Sequence, residues 1–159
     1  MLNIFKRKKK TTDHEPNEKL NGIIGEYEED GFPIVVRFIN EIPDNSIISR
    51  MAWFTVVSWK YDDSERNGMP AKSTNDKMLK LEGALETAFW KSDICKHAYN
   101  RTGNGLKEFN YYIENREEFM IHFNKTLEGH EVYPIEINFY EDPEWVEMHK
   151  IIDDFKTKK

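Results

Sequence analysis

The sequence has a single cysteine, Cys95, and no apolar run as long as a membrane-spanning helix. A lone thiol cannot form an internal disulfide, so the fold does not depend on an oxidising compartment. A membrane-spanning helix needs about 18 or more consecutive apolar residues, and because the sequence has no such run we expect no helix of this kind. No secretory signal is expected, because the short apolar stretch at the N-terminus precedes the positive charges instead of following them. These absences predict a cytoplasmic protein.

Residues that typify metal and catalytic sites are also scarce. The five histidines lack H-E-x-x-H spacing, and one cysteine cannot make a C-x-x-C pair. Cys95 and His97 share one side of an extended chain, but a thiol nucleophile also needs a third group that orients its base. The turn Gly103-Asn104-Gly105 lacks the third glycine and the lysine of a phosphate-binding loop. The sequence predicts no catalytic residue, no metal and no cofactor, and an enzyme is the less favoured class.

Charge is unevenly distributed along the chain. The net charge is −6, yet the first ten residues hold five basic groups and no acidic one. Residues 11–159 therefore carry −11, which is −6 less the +5 of the first ten. An acidic surface repels a phosphate backbone, so we expect no nucleic acid on this body and favour a basic protein partner. The basic cluster predicts a weak contact with a membrane surface or another polyanion through Lys6, Arg7, Lys8, Lys9 and Lys10.

Length and composition predict one domain with a polar tail. The chain has 159 residues, of which 38% are hydrophobic and 13% aromatic, as expected for a globular domain with an aromatic core. Residues 1–20 have no apolar period, so we expect a disordered basic tail there. Residues 21–159 are expected to form a single α+β domain.

The periodicity of apolar residues predicts the order of the elements. Alternation predicts strands over residues 22–28, 32–40, 51–61, 97–101, 106–113 and 133–140, with Asp30-Gly31 and Asn104-Gly105 as hairpin turns. Apolar spacings of three and four predict helices from Ser73, capped with Asp76, from Asn115, and from Asp142 with Pro143 in the first helical position. This order predicts a ferredoxin-like split βαβ sandwich with two helices on one face. We expect an N-terminal β-hairpin to extend the antiparallel sheet and an extra helix to follow the sandwich at the C-terminus.

Two stretches resemble a known family. They are residues 102–112, which read TGNGLKEFNYY, and residues 133–145, which end in Glu141-Asp142-Pro143-Glu144-Trp145. Together they resemble the bacterial family catalogued as "domain of unknown function 695" over about residues 23–155. The chain departs from the family pattern at Met148, where an aromatic residue is expected, and at Phe109, where the family often has tryptophan. The resemblance implies no established activity, but it implies kinship with a domain type that inhibits an RNA-degrading enzyme by protein contact.

Several residues are candidates for binding a ligand or partner. Trp53 and Trp59 share a strand face, so with nearby tyrosines they predict either a base-stacking platform on an open sheet or, more commonly, core packing. Arg101, Glu141 and the loop containing Pro70 suggest a pocket between sheet and loops. The candidate residues are Trp53, Trp59, Tyr61, Arg101, Asn104, Tyr112 and Glu141.

The favoured function is a non-catalytic protein-interaction or regulatory module, because no catalytic set converges and the body is acidic. The alternative is a small-ligand-binding protein or hydrolase-type enzyme with a pocket between sheet and loops. Nucleic-acid binding through the basic tail is a third hypothesis.

Overall fold

A computed structural model of the chain describes residues 8–9, 22–63 and 66–156. The expected disordered tail, residues 1–20, lies outside the described residues except for Lys8 and Lys9, and its disorder stays a prediction. The strands are β1 Lys8–Lys9, β2 Gly22–Glu29, β3 Phe32–Ile39, β4 Trp53–Lys60, β5 Cys95–Gly103, β6 Leu106–Ile113 and β7 Ile135–Glu141. The helices are α1 Asn45–Arg50, α2 Lys72–Phe89, α3 Arg116–Thr126 and α4 Val146–Asp154.

The strands form one sheet in the order β1-β2-β3-β5-β6-β4-β7. Every neighbouring pair is antiparallel, which confirms the predicted α+β class with an antiparallel sheet. Both hairpin turns have positive φ at their central residues, Asp30-Gly31 and Asn104-Gly105, as the two-residue turn chemistry requires. The first hairpin, β2–β3, joins the rest of the sheet through β3 and β5.

Helices cover both faces of the sheet. On one face α2 and α3 bury an apolar cluster against β4, β5 and β6 that includes Leu81, Phe109 and Phe119. We call this the α2/α3 face. On the other face α4 packs against the sheet through Trp145 and Met148, and α1 contributes partly buried isoleucines. The predicted pair of helices on one face thus has a second helical layer opposite it, so the sheet has no fully open side.

One helix lacks its predicted cap although it begins within one residue of the predicted start, and another helix was not predicted. The helix predicted from Ser73 begins at Lys72, and its N-cap, Ala71, makes no side-chain hydrogen bond. The Asn75 N–H already donates to the Ala71 carbonyl at 2.8 Å, so Ser73 lies inside the first turn and does not cap it. The polar break near residue 45 contains the short helix α1, because the side chain of Asp44 accepts from the Ile47 N–H.

The last two helices differ in how well their starts were predicted. The predicted start of α3 is confirmed, since Asn115 is its N-cap and Asn115 Oδ1 accepts from the Glu118 N–H at 2.9 Å. Helix α4 begins at Val146, not at Pro143, because Trp145 has a left-handed backbone with φ of 56°. None of the helices within the described ranges is long and apolar enough to cross a membrane.

Candidate functional site

The two tryptophans proposed as a stacking platform lie on the α2/α3 face. Trp59 is buried in the core and packs on Tyr133, with ring centroids 5.5 Å apart. Trp53 is half-buried, and the Arg116 guanidinium lies 4.2 Å from the centroid of its ring. Because helices cover this face, the geometry favours the core-packing interpretation of both residues.

Tyr112 lies on the opposite face, in the structure that the Asp-Pro-Glu-Trp motif builds. Its ring stacks on Trp145 with centroids 4.0 Å apart and planes 6° from parallel. Its hydroxyl donates to Asp142 Oδ2 at 2.7 Å and accepts from the Met148 N–H at 3.2 Å. Burial, and then the hydrogen bond to Asp142, raise the pKa of Tyr112, so the hydroxyl remains protonated. This contact network fixes α4 to the sheet.

The same motif satisfies the first turn of α4. Asp142 accepts from the Val146 N–H at 2.8 Å and the Glu147 N–H at 3.1 Å. The Trp145 indole donates to the Met51 carbonyl at 2.8 Å. The motif that carries the family resemblance is therefore explained by structural roles, since these polar atoms contact one another and buried backbone.

Arg101 is a buried residue between two carboxylates. Its guanidinium lies 3.5 Å from Glu29 Oε1 and 3.6 Å from Glu108 Oε1. Asn104, in the hairpin turn, donates to the same Glu29 oxygen at 3.2 Å. Burial raises the pKa of Glu108, and Arg101 opposes that rise. The structure thus brings the two candidate residues Arg101 and Asn104 together, in a cluster whose charges pair with each other.

One fully buried amide adjoins this cluster. Asn110 pairs with Tyr99 across β5 and β6, next to the Arg101 and Glu108 pair. Both side-chain polar atoms of Asn110, and Nε of Arg101, have no hydrogen-bond partner among the described residues. Such groups are costly, at about 1 to 3 kcal/mol each. Arg101 and Asn110 are buried, so none of these atoms faces an open surface.

Glu141 lies far from Arg101. Strand register aligns Arg101 with Glu108, Ser58 and Glu136, whereas Glu141 pairs with Trp53. Glu136 and Glu141 are five residues apart along β7, which corresponds to about 17 Å. The structure therefore does not bring these two predicted pocket residues together.

The loop containing Pro70 lies at the Arg101 end of the sheet and holds Tyr61. The Tyr61 hydroxyl donates to the Gly68 carbonyl at 2.6 Å, and the Gly105 N–H donates to the same carbonyl at 3.1 Å. Burial, reinforced by Asp63, raises the pKa of Tyr61 to about 12. Tyr61 thus connects the loop to the hairpin turn as a neutral hydrogen-bond donor.

Sequence reasoning missed a polar network on the α2/α3 face. Glu82 accepts from Arg37 and from the Asn100 amide, each at 2.7 Å, and lies 3.8 Å from Lys107 Nζ. Arg37 also pairs with Glu86. Arg37 interrupts an apolar strand, and Glu82 and Glu86 have i,i+4 spacing, which are the only local signals of this network.

His97 completes this network. Its Nε2 lies 2.8 Å from Asn100 Oδ1. Burial lowers the pKa of His97 to about 4, against the opposing effect of Asn100, so the ring is neutral near pH 7. The cations and carboxylates of the network pair with one another, which is the arrangement of a structural ion-pair cluster.

Cys95 does not meet the requirements of a nucleophilic thiol. Cys95 is buried in the core, and burial raises the pKa of its thiol to about 12. A nucleophilic cysteine needs a lowered pKa and partial exposure. No group of three or more histidine, cysteine, aspartate or glutamate side chains in the described part of the chain is arranged to hold a metal ion.

Strand β7 is a free edge of the sheet. It pairs with β4 over seven residues in continuous register, and its other side has no strand partner among residues 8–9, 22–63 and 66–156. Alternate residues of such a strand direct N–H and C=O groups outward. The exposed side chains of β7 are Glu136, Asn138, Tyr140 and Glu141.

The edge lies in the most acidic part of the chain. Residues 114–147 hold ten acidic and two basic residues, a net charge of −8 in a chain whose total is −6. This segment comprises α3, β7 and the start of α4, and it contributes Glu136 and Glu141 to the edge itself. Acidic residues are therefore concentrated in the segments before, within and after β7.

A cleft of about 390 Å³ lies where the chain leads into β7. Its lining includes Lys60 at the end of β4, Tyr61 directly after it, Ser73 and Thr74 at the start of α2, and Pro134 directly before β7. Lys77 and Glu131 form an ion pair of 3.1 Å in its wall. The cleft combines aromatic and charged side chains and is continuous in sequence with the free edge.

The fold and these sites define an α+β protein whose sheet is covered on both faces and exposes an acidic edge. Residues 27–150 match the model of DUF695, a family of unknown function. The match covers more than half of the chain, so the protein belongs to this family, and the resemblance drawn from the two motifs is confirmed. No curated protein and no solved structure matches the chain.

Proposed function

We propose that the chain is a non-catalytic protein-interaction module that binds an extended basic segment of a partner protein along β7. The observation that carries this proposal is a seven-residue edge strand with no partner among the described residues, set in a segment of net charge −8. Strand addition takes its affinity from main-chain hydrogen bonds and its specificity from alternate side chains. Both sources are present on β7.

The acidic residues of the edge decide which strands it accepts. Charged side chains on an edge strand usually discourage pairing with other strands, and Glu136 and Glu141 have this effect on a second copy of β7. Opposite charges across an antiparallel pair contribute about 0.2 to 1 kcal/mol each, while like charges repel. The same glutamates that repel an acidic strand therefore attract one that carries lysine or arginine.

The surrounding fold supports a rigid edge. The order β7-β4-β6-β5, with α2 and α3 on one face, agrees with the ferredoxin-like split βαβ arrangement, which we propose for this part of the chain. In that arrangement β7 is the last strand, held by β4, whose two faces are both in the core. A preformed edge reduces the ordering that a partner must undergo on binding. Determination of an experimental structure with another strand order would refute this topology.

The test uses a peptide of eight alternating lysine and valine residues. We expect it to bind the full-length chain at low salt, measured by isothermal titration calorimetry, and to bind several-fold more weakly at 0.5 M salt because surface charges are then screened. The variant Glu136→Lys/Glu141→Lys should abolish binding. Reversal of Glu41 and Glu128, which are exposed and lie outside the helices and strands, is the matched control and should change affinity less than threefold.

A second measurement separates strand addition from loose charge attraction. N-methylation of every second residue removes the N–H donors from one edge of an extended peptide and leaves those of the other edge intact. Two such peptides, methylated at the odd or at the even positions, therefore differ in whether the edge that faces β7 keeps its donors. One methylated peptide should bind and the other should not, and bound peptide should slow hydrogen exchange at alternate amides of β7. Equal binding of both methylated peptides would contradict the proposal.

The cleft favours a second candidate, a small-ligand-binding protein. Its volume of about 390 Å³ lies in the range of small-molecule sites, and it combines aromatic side chains with lysines and hydroxyls. A thermal-shift screen of small metabolites tests this candidate. A ligand that raises the Tm of the native chain but not of the Thr74→Trp variant, which fills the cleft, would support it.

A cytoplasmic location is part of the proposal. The only thiol, Cys95, is buried and has no partner cysteine, so the fold is compatible with a reducing compartment. Cell fractionation followed by immunodetection tests this location, and recovery of the protein outside the cytoplasm would refute it.

A further inference from the structure

The opposite edge of the sheet already holds a basic segment of this chain. Strand β1, Lys8–Lys9, pairs antiparallel with β2, and the register sets Lys8 opposite Glu26 and Lys9 opposite Gly25. β1 covers two of the eight residues of β2. The remaining residues of β2 have no other strand on that side within the described ranges.

The chemistry of this edge resembles that of β7. Strand β2 ends in Glu28-Glu29, and Glu26 and Glu28 are exposed. The paired residues Lys8 and Lys9 belong to a run of five consecutive basic residues, 6–10, in the sequence. An acidic edge and a basic strand are therefore combined within one chain, in the same way that is proposed for β7 and a partner.

We propose that β2 is a second docking edge for extended basic segments, which the chain's own Lys8–Lys9 strand occupies and a partner segment can enter only when that strand is displaced. A two-residue strand contributes few hydrogen bonds, so a longer basic segment that pairs along β2 has more to gain. The chain's own strand has the advantage of being tethered, which gives it a high effective concentration at the edge. The result is an autoinhibited second site.

The number of lysine-valine peptides bound per full-length chain measures how many edges are open. Wild-type protein should bind one peptide, on β7, because β2 is occupied. The variant Lys8→Glu/Lys9→Glu should bind two, since a glutamate at position 8 lies opposite Glu26, which weakens the strand's pairing and opens β2. The variant Lys72→Glu/Lys80→Glu, which makes the same charge change at exposed positions of α2, is the matched control and should still bind one.

Variants of the edges assign the two sites. Adding Glu26→Lys/Glu28→Lys to Lys8→Glu/Lys9→Glu should return the stoichiometry from two to one. Adding Glu136→Lys/Glu141→Lys to Lys8→Glu/Lys9→Glu should also leave one peptide, now on β2.

This inference shares strand addition with the proposed function, but its failure is separate. Binding of one peptide by both wild type and the Lys8→Glu/Lys9→Glu variant would overturn autoinhibition and leave the β7 proposal standing. A wild type that binds none, with a Lys8→Glu/Lys9→Glu variant that binds one, would overturn the β7 proposal and support the β2 site. A Lys72→Glu/Lys80→Glu control that gains a second peptide would also overturn autoinhibition, because the gain would then follow net charge alone.

Discussion

Replacing Tyr112 with phenylalanine is expected to destabilise the protein without changing its fold. The ring is retained, so its stacking on Trp145 at 4.0 Å is preserved, and only the hydroxyl is lost. That hydroxyl joins three elements, because Tyr112 lies on β6, Asp142 follows β7 and Met148 lies on α4. The substitution therefore isolates the polar part of the connection between α4 and the sheet.

The magnitude follows from the two bonds that are lost. The bond to Asp142 Oδ2 at 2.7 Å goes to a carboxylate, and such bonds contribute about 1.5 to 3 kcal/mol. The Met148 N–H loses its only side-chain acceptor, although it lies in the first turn of α4, where unpaired donors are common. A loss of about 2 to 3 kcal/mol in the free energy of unfolding is expected, which lowers the Tm of a chain of this length by about 5 to 10 °C.

Urea unfolding followed by circular dichroism measures this loss. The control is Tyr140→Phe, which removes a hydroxyl from a side chain that is 55% exposed and should change stability by less than about 0.5 kcal/mol. In the Asp142→Asn background the cost of Tyr112→Phe should fall, because the charged acceptor is gone. A loss below about 0.5 kcal/mol for Tyr112→Phe in the native background would refute the role assigned to this hydroxyl.

Three further substitutions test other parts of the fold. His97 takes up a proton below about pH 6.5 in the unfolded chain, but in the native protein its ring stays neutral down to its pKa of about 4. The free energy of unfolding should therefore fall as the pH falls through this window, by up to about 3 kcal/mol more than in the His97→Gln variant. Urea unfolding at pH 7 and at pH 4.5 measures this difference. Asn110→Leu should leave Tm unchanged or raise it, because it removes buried polar atoms that lack a partner; a fall above 5 °C in a thermal scan would contradict this. Gly103→Ala should lower the free energy of unfolding by at least about 2 kcal/mol more than Gly31→Ala, as measured by chemical denaturation. A Cβ at position 103 would lie 2.4 Å from the Pro33 carbonyl oxygen, whereas a Cβ at position 31 would have no neighbour within 4 Å. Equal losses for the two variants would contradict this.

Local chemistry allowed much of the fold to be predicted. The Asp30-Gly31 and Asn104-Gly105 turns need only the positive φ that these residues adopt readily, so both hairpins follow from short sequences. Strand β4 is apolar on both faces, which indicated a central strand, and it lies between β6 and β7. Helix α1 was missed because six residues show no apolar period, and its start depends on the Asp44 cap.

The candidate site could be predicted less well, because it depends on contacts between residues distant in sequence. Nothing near Arg37 indicates that it pairs with Glu82, which is 45 residues away. The register of β7 on β4 sets the distance between Arg101 and Glu141, and register is fixed by packing, not by either residue. Trp59 could not be assigned to the core from its strand alone, since the helices that cover it are separate segments.

The distribution of hydrogen-bonding groups is the reason why we propose recognition by the main chain and not chemistry by side chains. Glu82 and Arg101 each form the centre of a polar cluster whose charges are paired internally, and burial raises the pKa of the Cys95 thiol. The buried amide of Asn110 has unused capacity but is inaccessible to a ligand in solution. The outward N–H and C=O groups of β7 combine unused capacity with exposure, and they repeat at a spacing that only another extended chain can match. Under the proposed function, a partner pairs with these groups by supplying a strand, and the exposed Glu136 and Glu141 of the edge favour a basic one.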